Sequence, residues 1–337
     1  MDDCVTVTII VPVKPGGEVK ALGGLGLADY PAGCVEVLVA EGRQPSLQRN
    51  RAATRARGEI LYFLDDDSLT EPGFLRRAAR HFADPSVAAV GGPSLTPVTD
   101  SLFQRAIGIV LASPLGGGGA RNRYRATGEA RTTSERELIL CNLAFRREVF
   151  LGLGGLDERL YPNEENELMD RIGERGWRLV HDPKLAVTRS QRPTYRAFVR
   201  QFFGYGRGRG EQTRIGGVRG WVDFAPTLLI SYLVLLPFAA TPLCFLPLAC
   251  YGGAIILSAI AGAVGAGLPA AFPLLLVLYP TLHLCYGAGV VKGVLFPRFA
   301  RGKREPVPVA IRTEKELGVP WPSEDFLADG EVRSMAP

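Results

Sequence analysis

Short apolar runs rich in β-branched residues recur along the amino-terminal half, at residues 5–11 (Val-Thr-Val-Thr-Ile-Ile-Val), 35–40 (Val-Glu-Val-Leu-Val-Ala) and 60–64 (Ile-Leu-Tyr-Phe-Leu), and each predicts a strand. Helical spacing over 47–57 separates the second run from the third. Another helix is expected at 74–82, then a short strand at 87–90 before Gly91-Gly92. Alternation of this kind predicts an α/β fold, a mostly parallel sheet with helices on both faces and right-handed crossovers. Order is expected again over 138–145 and in a helix that opens at Glu164 and carries its apolar face through Leu168 and Ile172.

The polar break after the third strand is the most informative one. Asp65-Asp66-Asp67 follows the apolar run directly, where a buried strand leaves its sheet. Ligands of open α/β sheets collect beyond the carboxyl ends of strands, and adjacent carboxylates there need a compensating cation or a donor-rich ligand. Hard oxygen donors suit Mg²⁺ or Mn²⁺, ions that share their coordination with substrate phosphates. A solvated turn leading into Thr70-Glu71-Pro72 is the competing reading. A second acidic patch, Asn163-Glu164-Glu165-Asn166-Glu167, opens the later helix, where carboxylates also suit the helix dipole.

The carboxyl-terminal half has a different pattern. Residues 224–291 contain no Asp, Glu, Lys or Arg, a length that fits two or three bilayer crossings. Three apolar segments are expected, 224–240, 243–264 and 270–291, with Thr241-Pro242 and 265–269 as turns. Ahead of them, 189–219 holds eight arginines against the single Glu211, interleaved with Tyr195, Phe198, Phe202, Phe203 and Tyr205. Such a surface beside a membrane attracts anionic lipid or a phosphorylated substrate, in preference to nucleic acid. Basic residues flank the apolar region on both sides, Arg214 and Arg219 before it and Lys292, Arg298, Arg301, Lys303 and Arg304 after it. Three crossings would separate flanks that the positive-inside rule places together, so length and charge disagree.

Composition narrows the chemistry. Six cysteines lie far apart without Cys-x-x-Cys spacing and read as free thiols in a reduced compartment. With only His81, His181 and His283, a histidine-rich zinc site or a histidine triad has little to draw on, so catalysis should rest on carboxylates. Asp2-Asp3 stands where a leader would carry basic residues, and the following apolar run is read as a strand. The segment 113–131, with Gly116 to Gly119 followed by Arg121, Arg123 and Arg125, reads as a mobile loop, either a lid over an anion or a connector.

Several of these motifs occur in a familiar order: Thr8-Ile9-Ile10-Val11-Pro12-Val13, Gln48-Arg49-Asn50-Arg51-Ala52-Ala53, Ala56-Arg57-Gly58-Glu59-Ile60, Asn142-Leu143-Ala144-Phe145-Arg146-Arg147 and Gly154-Gly155-Leu156-Asp157. With the acidic patches and Gln201-Phe202-Phe203-Gly204-Tyr205, the chain resembles membrane-associated family 2 glycosyltransferases with the GT-A fold, nearest the bacterial exopolysaccharide enzymes of the succinoglycan type. The resemblance covers nearly the whole chain. It implies a GT-A domain over 1–188, a basic aromatic interface segment over 189–222, a transmembrane region over 223–295 and a tail over 296–337. It also implies a multi-pass protein of the bacterial inner membrane with its catalytic domain in the cytoplasm.

By the same resemblance a nucleotide-diphosphate sugar would be held by Pro12, Glu41, Arg49, Asn50, Asp65 and Asp66, with Asp65 and Asp67 on Mg²⁺ or Mn²⁺. Glu165, with Glu164 as its rival, would take the proton from the acceptor hydroxyl in an inverting transfer. Asn142, Gln201, Arg207 and Arg209 would contact a lipid-linked or glycan acceptor or its phosphate. Three features depart from the family pattern: Glu in place of Asp at the base, Glu41-Gly42-Arg43 in place of Asp-Asp-Gly-Ser, and no Gln-x-x-Arg-Trp. The last implies addition of single sugars rather than extrusion of a polymer. Transfer directly to a polyprenyl phosphate, and a non-catalytic nucleotide-sugar-binding scaffold, are the rival functions.

Overall fold

The computed structural model describes residues 4–301 and 308–321. Lys303, Arg304 and the tail beyond Trp321 lie outside the described residues. The elements, in chain order, are β1 (Val7–Val13), α1 (Ala21–Leu25), β2 (Val35–Glu41), α2 (Pro45–Arg55), β3 (Ile60–Leu64), β4 (Leu69–Thr70), α3 (Phe74–His81), β5 (Val87–Gly91) and β6 (Ser94–Leu95). There follow α4 (Leu102–Ala112), α5 (Pro114–Gly117), β7 (Arg131–Thr133), β8 (Asn142–Arg146), α6 (Arg147–Gly152), α7 (Glu164–Glu174), β9 (Arg178–His181) and β10 (Val187–Thr188). The chain closes with α8 (Tyr195–Gly216), α9 (Ala225–Leu235), α10 (Leu246–Gly265), α11 (Phe272–Leu295) and β11 (Ala310–Lys315).

The main sheet has the order β11-β2-β1-β3-β8-β5-β9-β7. Strands β2, β1 and β3 run parallel, as do β5 and β9, while β8 runs against both of its neighbours and β7 and β11 are antiparallel edges. The sheet is therefore mixed, with its parallel half where the alternation of strand and helix predicts it. Strands β1 and β3 are buried along their whole length, as their unbroken apolar runs require. One apolar cluster, with Val11, Tyr62 and Phe74, fills one face of the sheet, and a second, with Phe63, Phe145, Phe150 and Leu168, fills the other.

A small second sheet, β4-β10-β6, pairs Val187 with Thr70 and Thr188 with Leu69. This pairing carries the start of the arginine-rich segment to the end of the aspartate trio.

Helix α8 docks along α11 through glycines. A Cβ on Gly206 would lie 1.9 Å from the Tyr286 carbonyl oxygen, and one on Gly289 2.3 Å from that of Phe203. Gly210 and Gly293 repeat the approach one turn further on, so both helices carry small residues four apart at the contact. The apolar helical stretches run Trp221–Phe238, Pro242–Gly265 and Pro269–Leu295, close to the expected segments, and each is long and apolar enough to cross a membrane. After them the chain returns to the main sheet, where β11 pairs antiparallel with β2 from Ala310 opposite Glu41. Residues expected to form only a tail thus supply a strand, and both ends of the apolar region face the same domain.

Two further expectations are corrected. Cys4 and Cys34 form a disulfide with their Cα atoms 6.4 Å apart, while Cys141, Cys244, Cys250 and Cys285 are free. The part 113–124 of the segment is packed rather than loose, while 126–130 are exposed: α5 is followed by a 3₁₀ turn over Gly118–Arg123, pinned by Arg123 on Asn166 and by the Asn122 carbonyl on His181. A Cβ on Gly117 would lie 1.9 Å from the Leu111 carbonyl oxygen, so glycine lets this segment fold back onto α4.

Candidate active site

The carboxyl ends of the parallel strands bring Val13, Glu41 and Asp65 to one edge of the sheet, because β1 aligns Val13 with Glu41 on β2 and β3 ends at Leu64. Pro12 is buried within β1 opposite Ala40. Gln48 on α2 donates its side-chain amide to the carbonyls of Val13 and Ala40, at 2.9 and 2.6 Å, and so fixes α2 against this edge.

Helix α2 thereby aims Arg49 into the site. Its Nη2 donates to Asp65 Oδ1 at 2.7 Å and its Nη1 lies 3.5 Å from Glu164 Oε1, so one buried guanidinium joins the aspartate trio to the second acidic patch. Arg189, directly after β10, approaches from the other side, with Nη2 3.1 Å from Asp65 Oδ2 and Nε 2.5 Å from Asp67 Oδ1. Burial pushes the Asp65 carboxyl up, but Arg189 and Arg49 more than offset this and hold it below its usual value. For Asp66, burial and the charges of Asp67 and Asp65 outweigh the pull of Arg189 and raise it.

Among the described residues no three Asp, Glu, His or Cys side chains converge on one cation position. The donor set nevertheless fits a divalent ion. Arg189 places a positive charge between Asp65 and Asp67, the position a metal with two hard carboxylate ligands would take, and such ions complete their shell with water and phosphate oxygens.

The turn before α7 aims the second patch. Asn163 adopts a left-handed conformation (φ 86°) and donates to Gln212 Oε1 at 3.1 Å, so α7 begins abruptly with Glu164 and Glu165 in its first turn. The two glutamates differ in surroundings. Glu164 is buried against Arg49 with Oε2 unpartnered among the described residues, and burial plus the neighbouring Glu165 charge raises its pKa. Glu165 instead lines a cavity of about 480 Å³ and lies 3.9 Å from Arg123 Nη1. That cavity runs from the acidic patch between the 114–124 segment and helices α8 to α11.

Several expected site residues make structural contacts. Asn142 is fully buried, accepting from the Tyr62 hydroxyl at 2.7 Å and donating to the Leu185 carbonyl at 2.6 Å, and so braces the sheet. Asn50 donates its amide to the Leu156 carbonyl and accepts from the Leu156 N–H, at 2.8 and 2.9 Å, and so holds the Gly154-Gly155 turn. Gln201 donates to the Tyr205 hydroxyl at 2.8 Å, and Arg207 to the Tyr161 carbonyl at 3.0 Å. Of the four acceptor candidates only Arg209 lines the cavity. Arg189, Arg136 and Asp223 were not singled out by the sequence; for Arg189 the signal was its place at the head of the arginine run, directly after a short apolar stretch.

The chain is similar to several known proteins. Succinoglycan biosynthesis protein ExoA of Rhizobium meliloti (strain 1021) is 34% identical over 111 residues, 33% of this chain and 32% of that protein. Pre-mycofactocin glycosyltransferase of Mycobacterium tuberculosis (strain CDC 1551 / Oshkosh) is 24% identical over 236 residues, 59% of this chain and 46% of its own. The matches thus span about a third of the first relative's length and a little under half of the second's. The mannosyltransferase PcManGT from Pyrobaculum calidifontis, in complex with GDP-Man and Mn²⁺, superposes with a TM-score of 0.53 over 87% of this chain and 88% of its own at 20% identity, a shared GT-A fold. The family model for glycosyl transferase family group 2 matches residues 60–285, and the chain belongs to that family.

Proposed function

We propose that this protein is a membrane-bound, inverting, metal-dependent glycosyltransferase of exopolysaccharide-type synthesis, which moves a sugar from a nucleotide-diphosphate donor to a hydroxyl of a lipid-linked or glycan acceptor at the cytoplasmic face of a bacterial membrane. The observation that carries this reading is the Arg49 bridge. It ties the trio that suits a metal-bound diphosphate to Glu164, whose neighbour Glu165 opens onto the cavity. The GDP-Man and Mn²⁺ bound by the structurally similar mannosyltransferase support a donor and ion of these classes.

Donor diphosphate would lie beyond β3, with Asp65 and Asp67 as the residues that would hold Mg²⁺ or Mn²⁺, which would supply Lewis-acid stabilisation of the departing diphosphate. Pro12 and Glu41, on the same edge, would flank the nucleotide. Glu165 takes the proton from the acceptor hydroxyl as the oxygen attacks the anomeric carbon; the bond from that carbon to the phosphate oxygen breaks and the nucleoside diphosphate leaves. Glu164, held on Arg49, positions the guanidinium and not the acceptor. Arg49 and Arg189 keep positive charge beside the leaving group where negative charge develops.

The test is a screen of nucleotide-sugars for Mn²⁺-dependent protection against heat unfolding, followed by transfer assays on the donor found. Protection and transfer that both vanish in Asp65→Ala/Asp67→Ala are expected. Full turnover in that double variant would end the proposal.

A further inference from the structure

Helix α8 is held between two partners. Along one side, Gly206 and Gly210 bring it against α11, which lies in one of the stretches apolar enough to cross a membrane. Along the other, it meets three consecutive residues of the turn that leads into α7. Arg207 Nη2 donates to the Tyr161 carbonyl at 3.0 Å, and a Cβ on Gly208 would lie 2.4 Å from the Pro162 carbonyl oxygen. The third contact is Asn163 Nδ2 donating to Gln212 Oε1 at 3.1 Å.

Gln212 is buried, and both polar atoms of its amide are bonded. Its Oε1 also accepts from Arg209 Nη1 at 3.1 Å, and its Nε2 donates to Asp170 Oδ2 at 3.1 Å. Asp170 stands on α7, so this one amide ties the residue ahead of α7 to the helix itself. Among the described residues Asn163 is the only non-glycine with a positive φ, a conformation that costs energy and persists where its surroundings impose it. The Asn163 side chain does not cap α7; it is committed to Gln212. Two residues later the same turn delivers Glu165 to the cavity.

We infer that Gln212 is a positioning residue for the transfer reaction: by joining Asn163 to Asp170 it fixes the direction in which α7 presents Glu165, and so links that carboxylate to the docking of α8 on α11. Gln212 does not line the cavity, so it acts through Glu165 and not on the acceptor. Misplacing a reacting group by about 1 Å can cost about 100-fold in rate. Asp65 and Asp67 follow β3 and are held by Arg189, so donor binding does not depend on Gln212. The inference rests on the reading of Glu165 as the base.

The test uses the full chain in detergent, with Mn²⁺ and the nucleotide-sugar that protects it from unfolding, water serving as acceptor. The pH is set well above the value of about 6 to which burial and Glu135 raise Asp170 against the pull of Arg219 and Arg209. Gln212→Leu should lower kcat about tenfold or more with the donor KM unchanged, and should cost nothing further in a Glu165→Gln background. Gln212→Glu sets a second carboxylate against Asp170 and should lower kcat likewise. Gln212→Glu/Asp170→Asn restores the bond with donor and acceptor exchanged, and should recover most of the parent rate. Amide exchange over residues 163–168 should be faster in Gln212→Glu and slow again in the paired variant. A full additional loss in the Glu165→Gln background, or no recovery in the paired variant, would overturn the inference, and the pair decides it even if Gln212→Leu fails to fold. Parental kcat in Gln212→Leu with a large loss in Glu165→Gln would refute the inference alone, whereas parental kcat in Glu165→Gln would refute the base reading and the inference with it.

Discussion

Arg189 Nε donates to Asp67 Oδ1 at 2.5 Å, and the same guanidinium reaches Asp65, so residues more than a hundred positions apart form one charge-balanced cluster. A positive side chain and a divalent ion have the same reason to sit between two carboxylates. They therefore compete for one place. Replacing Arg189 by Gln should tighten Mn²⁺ binding about tenfold, equivalent to about 1.4 kcal/mol, and should lower the melting temperature of the metal-free protein, where the aspartates then repel unopposed. Calorimetric titration with Mn²⁺ reads the first effect. Unchanged or weaker binding would show that arginine and metal occupy separate positions.

The two glutamates of α7 should separate in kinetics. Glu165 faces the cavity and Glu164 faces Arg49. Glu165→Gln is expected to lower kcat by about 10²–10⁴, the usual contribution of a positioned base, with little change in melting temperature. Glu164→Gln should cost far less in kcat and act mainly through the placement of Arg49. Reversed effects would exchange the two roles, and near-normal turnover in Glu165→Gln would point to a phosphate as the attacking group.

Acid should loosen the segment 118–133, whose first part, Gly118 to Tyr124, lines the cavity. Burial pushes Glu137 up, but hydrogen bonds from Arg131, Thr133 and Asn122 more than offset it and hold its carboxyl at about 2 against an ordinary 4.5. A carboxyl depressed in the folded state contributes stability in full above about 4.5 and loses it as pH falls toward 2. Hydrogen exchange over Gly118–Arg123 and Arg131–Thr133 should accelerate as pH is lowered through this window, once corrected for intrinsic rates. In Glu137→Gln that acid dependence should be absent, with exchange already faster at neutral pH.

Pairing of β11 with β2 demands an even number of crossings, because the chain enters and leaves the apolar region beside the same sheet. The stretch Trp221–Phe238, with 18 residues, is the shortest of the three, against 24 and 27, and 3₁₀ turns flank α9 within it, so α10 and α11 should form the crossing hairpin and this first stretch should lie in the interface. A reporter fused after Pro337 should read the same side as one fused before Met1, and a cysteine placed at Gly267 should label from the opposite side. Reporters on opposite sides would refute the even count.

Close approach of α8 and α11 predicts a strong effect at their shared glycines. Gly289→Leu puts side-chain atoms where the Phe203 backbone lies and should destabilise the fold by about 3 kcal/mol or more. Thermal unfolding in detergent reads it. Gly252→Leu, at an open position of α10, should leave the melting temperature unchanged.

Much of this was legible along the chain, and the exceptions have a common cause. The buried strands β1 and β3, the helices α2, α3 and α7 and the apolar segments each follow from patterns repeating within a dozen residues, and the structure has them near the expected bounds. Asn142 and Asn50 bond neighbouring backbone, which the sequence does not reveal, since a polar residue in a motif looks the same whether it binds a ligand or a backbone group. The glycine-rich segment looked loose because composition does not reveal a close approach to α4, which is what its glycines permit.

The amino-acid sequence alone determined the strand-end aspartates, the glutamates at a helix start and the charge-free carboxyl-terminal region, since local hydrophobic period and local charge dictate these without reference to distant parts. Only the tertiary structure decided that Arg189 meets Asp67, that Arg49 joins Asp65 to Glu164, that Glu165 rather than Glu164 opens on the cavity, and that β11 returns to β2. Those choices depend on strand register and helix docking between segments far apart in the chain, and the free energy that selects among such pairings is spread over the whole packed core.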